Sequence, residues 1–576
     1  MFDVLCTHTL VKEYNEILEN ARIDKVTQPK KNMIIITVRK PGKNHSIILD
    51  ASPESCHTRI SNQTFKNPIT PPNFCMLLRK YLSSARIASI SAVNNERIIN
   101  FDIEGRHPDG DLGSWTLSFE VMGKHSNLIF YDNKTKIILG SLKTISSTHR
   151  EIKANATYTL PPAQNKIDIK DSKLSDLKLL AVSYDSYLLD KFLFENIHMV
   201  SPQLAKEIVF RVFNRNNIYV KELTDSNLND IYCLLQELLY NTPYDPMVFY
   251  KNGELVDFYP FKLECLNLKE TETSSLNEAI DLFYSYKSKQ QARKDIYSTL
   301  VKSVDNYLKK LVKKLKGLKK DLKKNEKSLK YKLYGELLTA NMYNMKKGEN
   351  STKVYNYYED EYIEIPLKAS LTPNENSQRY FKKYSKAKRG IEVIKANILK
   401  CENELDYLNS VRYSLDISEL DELIEIKEEL IRIGYLKEVR KKDNGKKREE
   451  SNSKPMKFVS SDNITIYVGK NNKQNDFVTL RLANPNDLWF HTKSLAGSHV
   501  VVRNEAKIPA ETISEAAMLS AYFSKGRHSG NVEVDYTEIK NVKKPKGAKP
   551  GMVIYDNYTT LFVTPDENVV KKLRSK

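Results

Sequence analysis

The chain has 576 residues, with 91 Lys+Arg against 72 Asp+Glu, a formal net charge of +19, 40% hydrophobic and 28% charged residues. That length exceeds one core and implies three or four domains, most of them folded. No apolar run approaches a membrane span, and Met1-Phe-Asp-Val-Leu-Cys6 lacks the basic start and long apolar core of a secretory signal. The cysteines Cys6, Cys56, Cys75, Cys233, Cys265 and Cys401 form no C-x-x-C pair. This argues against zinc and disulfides and for a reducing cytosol. So basic a chain points to a polyanion, nucleic acid first, with DNA and RNA both open.

In chain order, Glu120-Val-Met122 before Gly123 reads as a strand entering a turn. The segment 168–241 reads as helical, and Ser201-Pro202 ahead of an amphipathic run is an ordinary helix start. From Val304, apolar positions fall at Leu308, Leu311, Leu315, Leu318 and Leu322, then Asn325 and Leu329. The alternating steps make a heptad seam, with Asn325 the polar register residue. A second seam runs Tyr380, Tyr384, Ala387, Ile391, Ile394, Ile398, Cys401, Leu405, Leu408. Two matched seams in one chain predict an antiparallel hairpin. The insert between them, 333–373, contains the strand-like Tyr362-Ile-Glu-Ile-Pro366 and forms a small tip. Thirteen lysines against three acids lie between Lys302 and Lys332. Lys313, Lys316, Lys320 and Lys323 are therefore candidates for phosphate contact, the alternative being a solvated face.

Lys437 to Lys454 is almost devoid of apolar residues and reads as a disordered linker. Beyond it, Ile464–Val468 and Val478–Leu482 read as strands and Glu511–Ser524 as a helix. Asp487–Thr492 and Ser498–Arg503 read as two strands around a turn at Ala496-Gly497. These two strands hold Trp489, His491, His499 and Arg503. A metal site there lacks a third ligand nearby on the chain. A nucleophile elbow would need a second glycine that Gly497-Ser-His-Val-Val501 does not have. Two readings stay open: Trp489 and one histidine simply pack, or aromatic rings, histidines and Arg503 form an RNA-facing surface beside Lys543, Lys544 and Lys546.

Several motifs now coincide. Val468-Gly-Lys-Asn-Asn-Lys-Gln-Asn-Asp476, Asp487-Leu-Trp-Phe-His491, Gly497-Ser-His-Val500, Asp535-Tyr-Thr537 and Lys549-Pro-Gly-Met-Val-Ile-Tyr555 resemble the RNA-binding domain of the NFACT family. Ala21-Arg-Ile-Asp-Lys-Val26, Phe74–Lys80, Val121–Asn127 and Asn376–Tyr384 resemble that family's earlier parts, in order. The resemblance is to its bacterial branch and covers nearly the whole chain.

It implies a multidomain α+β fold: a glycosylase-like N-terminal α+β domain, a helix-hairpin-helix module, a long antiparallel coiled-coil arm with a small tip, and a C-terminal α+β RNA-binding domain. The expected boundaries are 1–167, 168–241, a strand-rich connector at 242–275, the arm at 276–434, the linker at 435–457, and 458–576. It implies ribosome-associated quality control in the cytoplasm. The partners would be the obstructed large ribosomal subunit, with its rRNA and proteins, the stalled peptidyl-tRNA, incoming tRNA (chiefly alanyl-tRNA) and a small S4-like RNA-binding protein, RqcP. No DNA and no membrane would be involved. The ribosome would make the peptide bonds of an untemplated alanine tail that marks the product for degradation. The chain itself would be no enzyme and would need no cofactor or metal.

In the family an Asp-Arg pair engages tRNA. Glu96 and Arg97 match it here, Glu extending the carboxylate by one methylene. A second tRNA patch maps to Glu120, Val121 and Met122. Without the resemblance, Glu96-Arg97 reads as a strand-end ion pair. The hairpin stretch Met199–Ile208 has Met199 where the family has Gly, which favours packing over phosphate contact. The rival DNA-glycosylase chemistry needs an N-terminal proline amine, whereas the chain opens Met1-Phe2-Asp3. A third class, an extracellular adhesin, is disfavoured by the N-terminal sequence.

Overall fold

The computed structural model describes residues 2–93, 95–107, 110–147, 150–162, 164–241, 243–437, 454–504 and 508–574. Most of the expected linker, 438–453, lies outside the described residues. The chain divides into two compact units, residues 1–288 and 289–576.

The first unit opens with α1 (Val4–Leu18), capped by Asp3, whose carboxylate accepts the Cys6 N–H at 3.0 Å. A nine-stranded antiparallel sheet follows: β1 (Arg22–Lys30), β2 (Met33–Lys40), β3 (Lys43–Asp50), β4 (His57–Ile60), β5 (Arg86–Ala92), β6 (Ile98–Arg106), β7 (Leu112–Glu120), β8 (Asn127–Asp132) and β9 (Ile138–Ser141). Its order is β4-β3-β2-β1-β5-β6-β7-β8-β9, so two meanders meet where β1 pairs with β5. The helix α2 (Asn73–Leu82) forms the link between them. A short pair, β10 (Ile145–Ser146) and β11 (Glu151–Ile152), follows.

The helices α3 (Leu174–Val182), α4 (Leu189–Asn196), α5 (Pro202–Phe213) and α6 (Asp225–Tyr240) come next, then a three-stranded sheet of β12 (Met247–Lys251), β13 (Glu254–Tyr259) and β14 (Lys269–Glu272). The large sheet, these helices and the small sheet share one apolar core, from Leu5 and Phe101 through Ile208 and Phe258 to Phe283. At its end, Glu13 accepts the Leu276 and Asn277 N–H groups at 2.7 and 2.9 Å. This anchors the start of α7 (Leu276–Lys327) by satisfying N–H groups that a helix leaves free.

The second unit holds most of α7, then α8 (Tyr331–Ala340), the hairpin β15 (Ser351–Asn356) and β16 (Glu361–Pro366), α9 (Pro373–Ile417) and α10 (Leu420–Ile433). α9 starts on a capping box, Thr372 with Glu375, with Pro373 in its first turn. α7 and α9 run antiparallel. Arg412 reaches Asp305 at 3.2 Å, the Cys401 thiol donates to the Leu311 carbonyl at 3.5 Å, and a Cβ on Gly390 would lie 3.2 Å from Asn325 Oδ1. Both heptad seams lie inward except at Leu329, which is 38% exposed. The expected tip strand is β16. It pairs with β15, and Leu337 and Leu338 of α8 pack with Val354 and Ile365 of this hairpin in one small cluster.

The C-terminal domain comprises β17 (Met456–Val459), β18 (Thr465–Val468), α11 (Asn472–Phe477), β19 (Leu488–Thr492), β20 (Val500–Val502), α12 (Ala510–Tyr522), β21 (Val532–Glu538), the pair β22 (Val542–Lys543) and β23 (Ile554–Tyr555), β24 (Thr559–Val563) and α13 (Glu567–Arg574). Its main sheet runs β17-β18-β20-β19-β21-β24. One face, with Phe490, packs under α12 and α13.

The strand expected at Val478–Leu482 is instead a π-helical turn continuing α11. Asn471 caps that helix by accepting the Gln474 N–H at 2.9 Å. Val478 and Leu482, four residues apart, pack toward Trp489, while Leu480 is 44% exposed. The spacing that counts is four rather than two.

Candidate nucleic-acid interface

In the first unit the turn from β5 to β6 is closed by two backbone bonds, Val93 N–H to the Ile98 carbonyl at 3.0 Å and Glu96 N–H to the Val93 carbonyl at 3.2 Å. Asn95 takes a left-handed φ of +58°, which Asn tolerates. The turn presents Glu96 and Arg97, both partly exposed. On the neighbouring strand Glu120 lies opposite Ile98, and the Val121 N–H donates to the Arg97 carbonyl at 2.8 Å. The two stretches that the resemblance singles out are therefore adjacent.

Their side chains differ in access. The Glu120 carboxylate is 1% exposed. It accepts from Arg150 at 2.8 and 2.6 Å and from the Tyr158 hydroxyl at 3.0 Å. Val121 is 2% exposed. The expectation that these two touch tRNA directly is corrected: they are interior residues at the end of β7, and the buried pair with Arg150 accounts for the carboxylate. Met122 stays partly exposed, its N–H donating to Ser126 Oγ at 2.8 Å.

Beside the turn is a concavity of about 270 Å³ lined by Asp3, Glu96, Arg97, Lys166, His198 and Ser201, among others. Burial pushes the Glu96 carboxyl above its ordinary value, opposed by Arg97 and Lys166. Burial also pulls the Lys166 amine down, and that amine donates to the Phe194 carbonyl at 2.7 Å. Asp3 is held by the Ser201 and Tyr259 hydroxyls, each at 2.8 Å. Ser201 in turn caps α5 by accepting the Leu204 N–H at 3.2 Å.

The start of α5 thus lines the concavity, and its partial positive charge adds to that of Arg97 and Lys166. Among the described residues no ion pair engages Arg97. Such a place suits an anion or the edge of a base. Met199, also in the lining, holds a left-handed φ of +66° and is 8% exposed. A side chain there costs about 1–2 kcal/mol of backbone strain against glycine, offset by packing.

Sequence reasoning did not reach Asp3, Lys166 or His198. Asp3 is visible only as a helix cap, and Lys166 sits in an irregular stretch without periodicity.

On the arm, Lys313, Lys316, Lys320 and Lys323 are all exposed and spaced three and four apart, which puts them on one face. Lys319 is instead drawn to Glu402 at 3.1 Å.

In the C-terminal domain, β19 alternates so that Trp489 and His491 share a face. The α11 turn and the segment around Val542 and Tyr555 cover it. Trp489 is 0% and His499 2% exposed, so the expected open aromatic surface is corrected for both. Arg503 is also engaged, donating to Asp487 at 3.2 Å and lying 5.7 Å from the Tyr467 ring. Lys544 pairs with Asp476, while Lys543 and Lys546 are exposed.

His491 remains partly accessible, and burial pulls its imidazole down to about 4. His499 is pulled well down by burial and then by His491. Both rings are neutral near pH 7. Among the described residues no group of three or more His, Cys, Asp or Glu could hold a metal ion, and no helix is long and apolar enough to cross a membrane.

The chain is similar over its whole length to two bacterial proteins named Rqc2 homolog RqcH. One, from Bacillus subtilis (strain 168), is 38% identical, covering 100% of this chain and 99% of its own. The other, from Streptococcus suis (strain 05ZYH33), is 33% identical, covering 100% of each. A solved chain described as the fibrinogen binding protein from Staphylococcus aureus is 28% identical and covers 49% of this chain and 98% of its own, with a TM-score of 0.42 too low to carry an argument. Residues 3–451 match the NFACT N-terminal and middle domains, and residues 454–557 match the NFACT protein RNA binding domain. Together these span nearly the whole chain, which belongs to the NFACT family.

Proposed function

We propose that this protein is a ribosome-associated quality control factor of the cytoplasm. It binds an obstructed large ribosomal subunit that carries peptidyl-tRNA, with a small S4-like protein, RqcP, as a partner. It recruits charged tRNA, chiefly alanyl-tRNA, and the ribosome's own chemistry then extends the stalled chain with alanine. In this reading the protein positions RNA and makes no bond itself. Its parts act as a glycosylase-like first domain (1–167), a hairpin module used for packing (168–241), a connector (242–275), an arm (276–434), a linker (435–457) and an RNA-binding domain (458–576).

The full-length similarity to the two RqcH proteins supports this reading. The observation that carries it is the concavity where Arg97, Lys166 and the start of α5 converge beside Met122's strand end. It sets the cations Arg97 and Lys166 and the start of α5 beside the carboxylates of Asp3 and Glu96, a mixed polar surface that can meet RNA phosphate and base edges.

The test is to purify the tagged full chain from its cells and sequence the RNA that accompanies it. Large-subunit rRNA together with one enriched tRNA is the expected result. DNA fragments, or no RNA above background, would overturn the proposal.

A further inference from the structure

In the second unit a concavity of about 600 Å³ opens between the arm helix α9 and the C-terminal domain. Its wall on the arm side is Tyr407, Asn409 and Ser410, and its wall on the domain side includes Trp489, His491 and Tyr555. The volume is within the range of small-molecule sites, roughly 300–1,000 Å³.

Its lining is aromatic and nearly neutral. Trp489 lies parallel to His491, ring centres 5.7 Å apart and planes 13° apart, and is 4.9 Å from the Tyr555 ring. The histidines are already committed: His499 Nδ1 bonds Thr479 Oγ1 at 2.7 Å, and both rings are held by backbone groups. They are therefore poor candidates for metal or proton chemistry. The charged lining residues are Lys525 and Asp406, of opposite sign. One polar group is left over. The indole Nε1 of Trp489 is buried with no hydrogen-bond partner. A buried donor without an acceptor costs about 1–3 kcal/mol, so it calls for an explanation.

Phosphate would need convergent cations, and an aliphatic ligand would leave the indole N–H unused. A planar, uncharged ring with acceptors on its edge fits both the stacked rings and the free donor. We infer that this concavity is a pocket for a single unstacked nucleobase, the partly exposed His491 and Tyr555 supplying its aromatic walls and the Trp489 indole N–H a hydrogen-bond donor. The inference rests on the reading of the C-terminal domain as RNA-binding and names what that domain takes hold of. Bases without partners are what such proteins grip, because a π-face and a base edge are then exposed.

The experiment measures binding of the full chain to end-labelled hexaadenylate, hexauridylate and an abasic hexamer of the same backbone, by fluorescence anisotropy. Wild type is compared with Trp489→Phe, which removes the indole N–H but keeps a ring, and with Ala496→Phe, which narrows the mouth from a partly exposed turn. Thermal melts check folding. The expected result is tighter binding of a base-bearing hexamer than of the abasic one. At least one folded variant should lose about fivefold or more for that hexamer and nothing for the abasic one. Equal affinity for all three hexamers, or an equal loss for all three in both variants, would overturn the pocket while leaving RNA binding intact. No binding of any hexamer would overturn the RNA-binding reading and the pocket with it. Competition by adenosine monophosphate supports the pocket and assigns its base to a free nucleotide, whereas base-dependent binding without that competition assigns it to RNA.

Discussion

The Val121 N–H donates to the Arg97 carbonyl at 2.8 Å, clamping the end of β7 to the start of β6. The bond uses backbone only, so it fixes where Arg97 begins without constraining where its guanidinium goes. The cation can therefore be removed without loosening the strand pair.

Arg97→Ala should remove tRNA from the purified protein while leaving the melting temperature near that of wild type. Removing one charge-assisted hydrogen bond costs about 1.5–3 kcal/mol, roughly ten- to a hundredfold in affinity. Arg97→Lys should recover little, because an ammonium lacks the planar fork. Unchanged tRNA recovery in the alanine variant would separate this turn from tRNA.

Arg150 should behave in the opposite way. It is the partner of a carboxylate only 1% exposed. Arg150→Ala leaves Glu120 buried and unpaired, a loss of about 3–5 kcal/mol. The calorimetric transition of the first unit should fall by many degrees. Glu120→Gln keeps an acceptor for Arg150 and Tyr158 and should cost less. If the alanine variant melts like wild type, the pair contributes nothing to the fold.

Periodicity carried most of what the sequence could disclose. The seams through Leu311 and Cys401 were legible because a long helix repeats one instruction many times. Five residues repeat it too few times, so Val478–Leu482 looked alternating while obeying a helical spacing. The Glu96-Arg97 turn was legible only by resemblance, since nothing in one strand end announces its neighbour. Burial of Glu120 depended on Arg150, and that of Trp489 on Val542 and Tyr555, partners set by the folded topology. The pocket wall at Tyr407 and Ser410 comes from another helix altogether.

Changing Lys313, Lys316, Lys320 and Lys323 together to Gln should weaken binding to large subunits and flatten its dependence on salt. Each phosphate that one of these lysines neutralises adds about one unit to the slope of log affinity against log salt. Gln is nearly as good a helix former as Lys, so helicity by circular dichroism should hold. An identical slope would leave these lysines as solvated charges.

Glu429 should make the second unit sensitive to pH. It is 2% exposed on α10, and Tyr407 donates its hydroxyl to it at 2.6 Å. Burial pushes its carboxyl up to about 7, with Tyr407, Arg432 and Asn472 opposing the shift and Asp476 adding to it. An exposed glutamate titrates near about 4.3, so between these values the folded chain holds a proton that the unfolded chain has released. The stabilisation is complete below about 4.3 and is lost as pH rises through about 7. Its size is on the order of 3 kcal/mol. Glu429→Gln keeps an acceptor for Tyr407 and cannot ionise. Calorimetry of the full chain at about pH 5 and about pH 8, on either side of the folded value, should show the Gln variant close to wild type at the lower pH. At the higher pH its second-unit transition should lie several degrees above wild type. A variant that tracks wild type at both pH values would mean that Glu429 ionises in the folded protein as freely as in water.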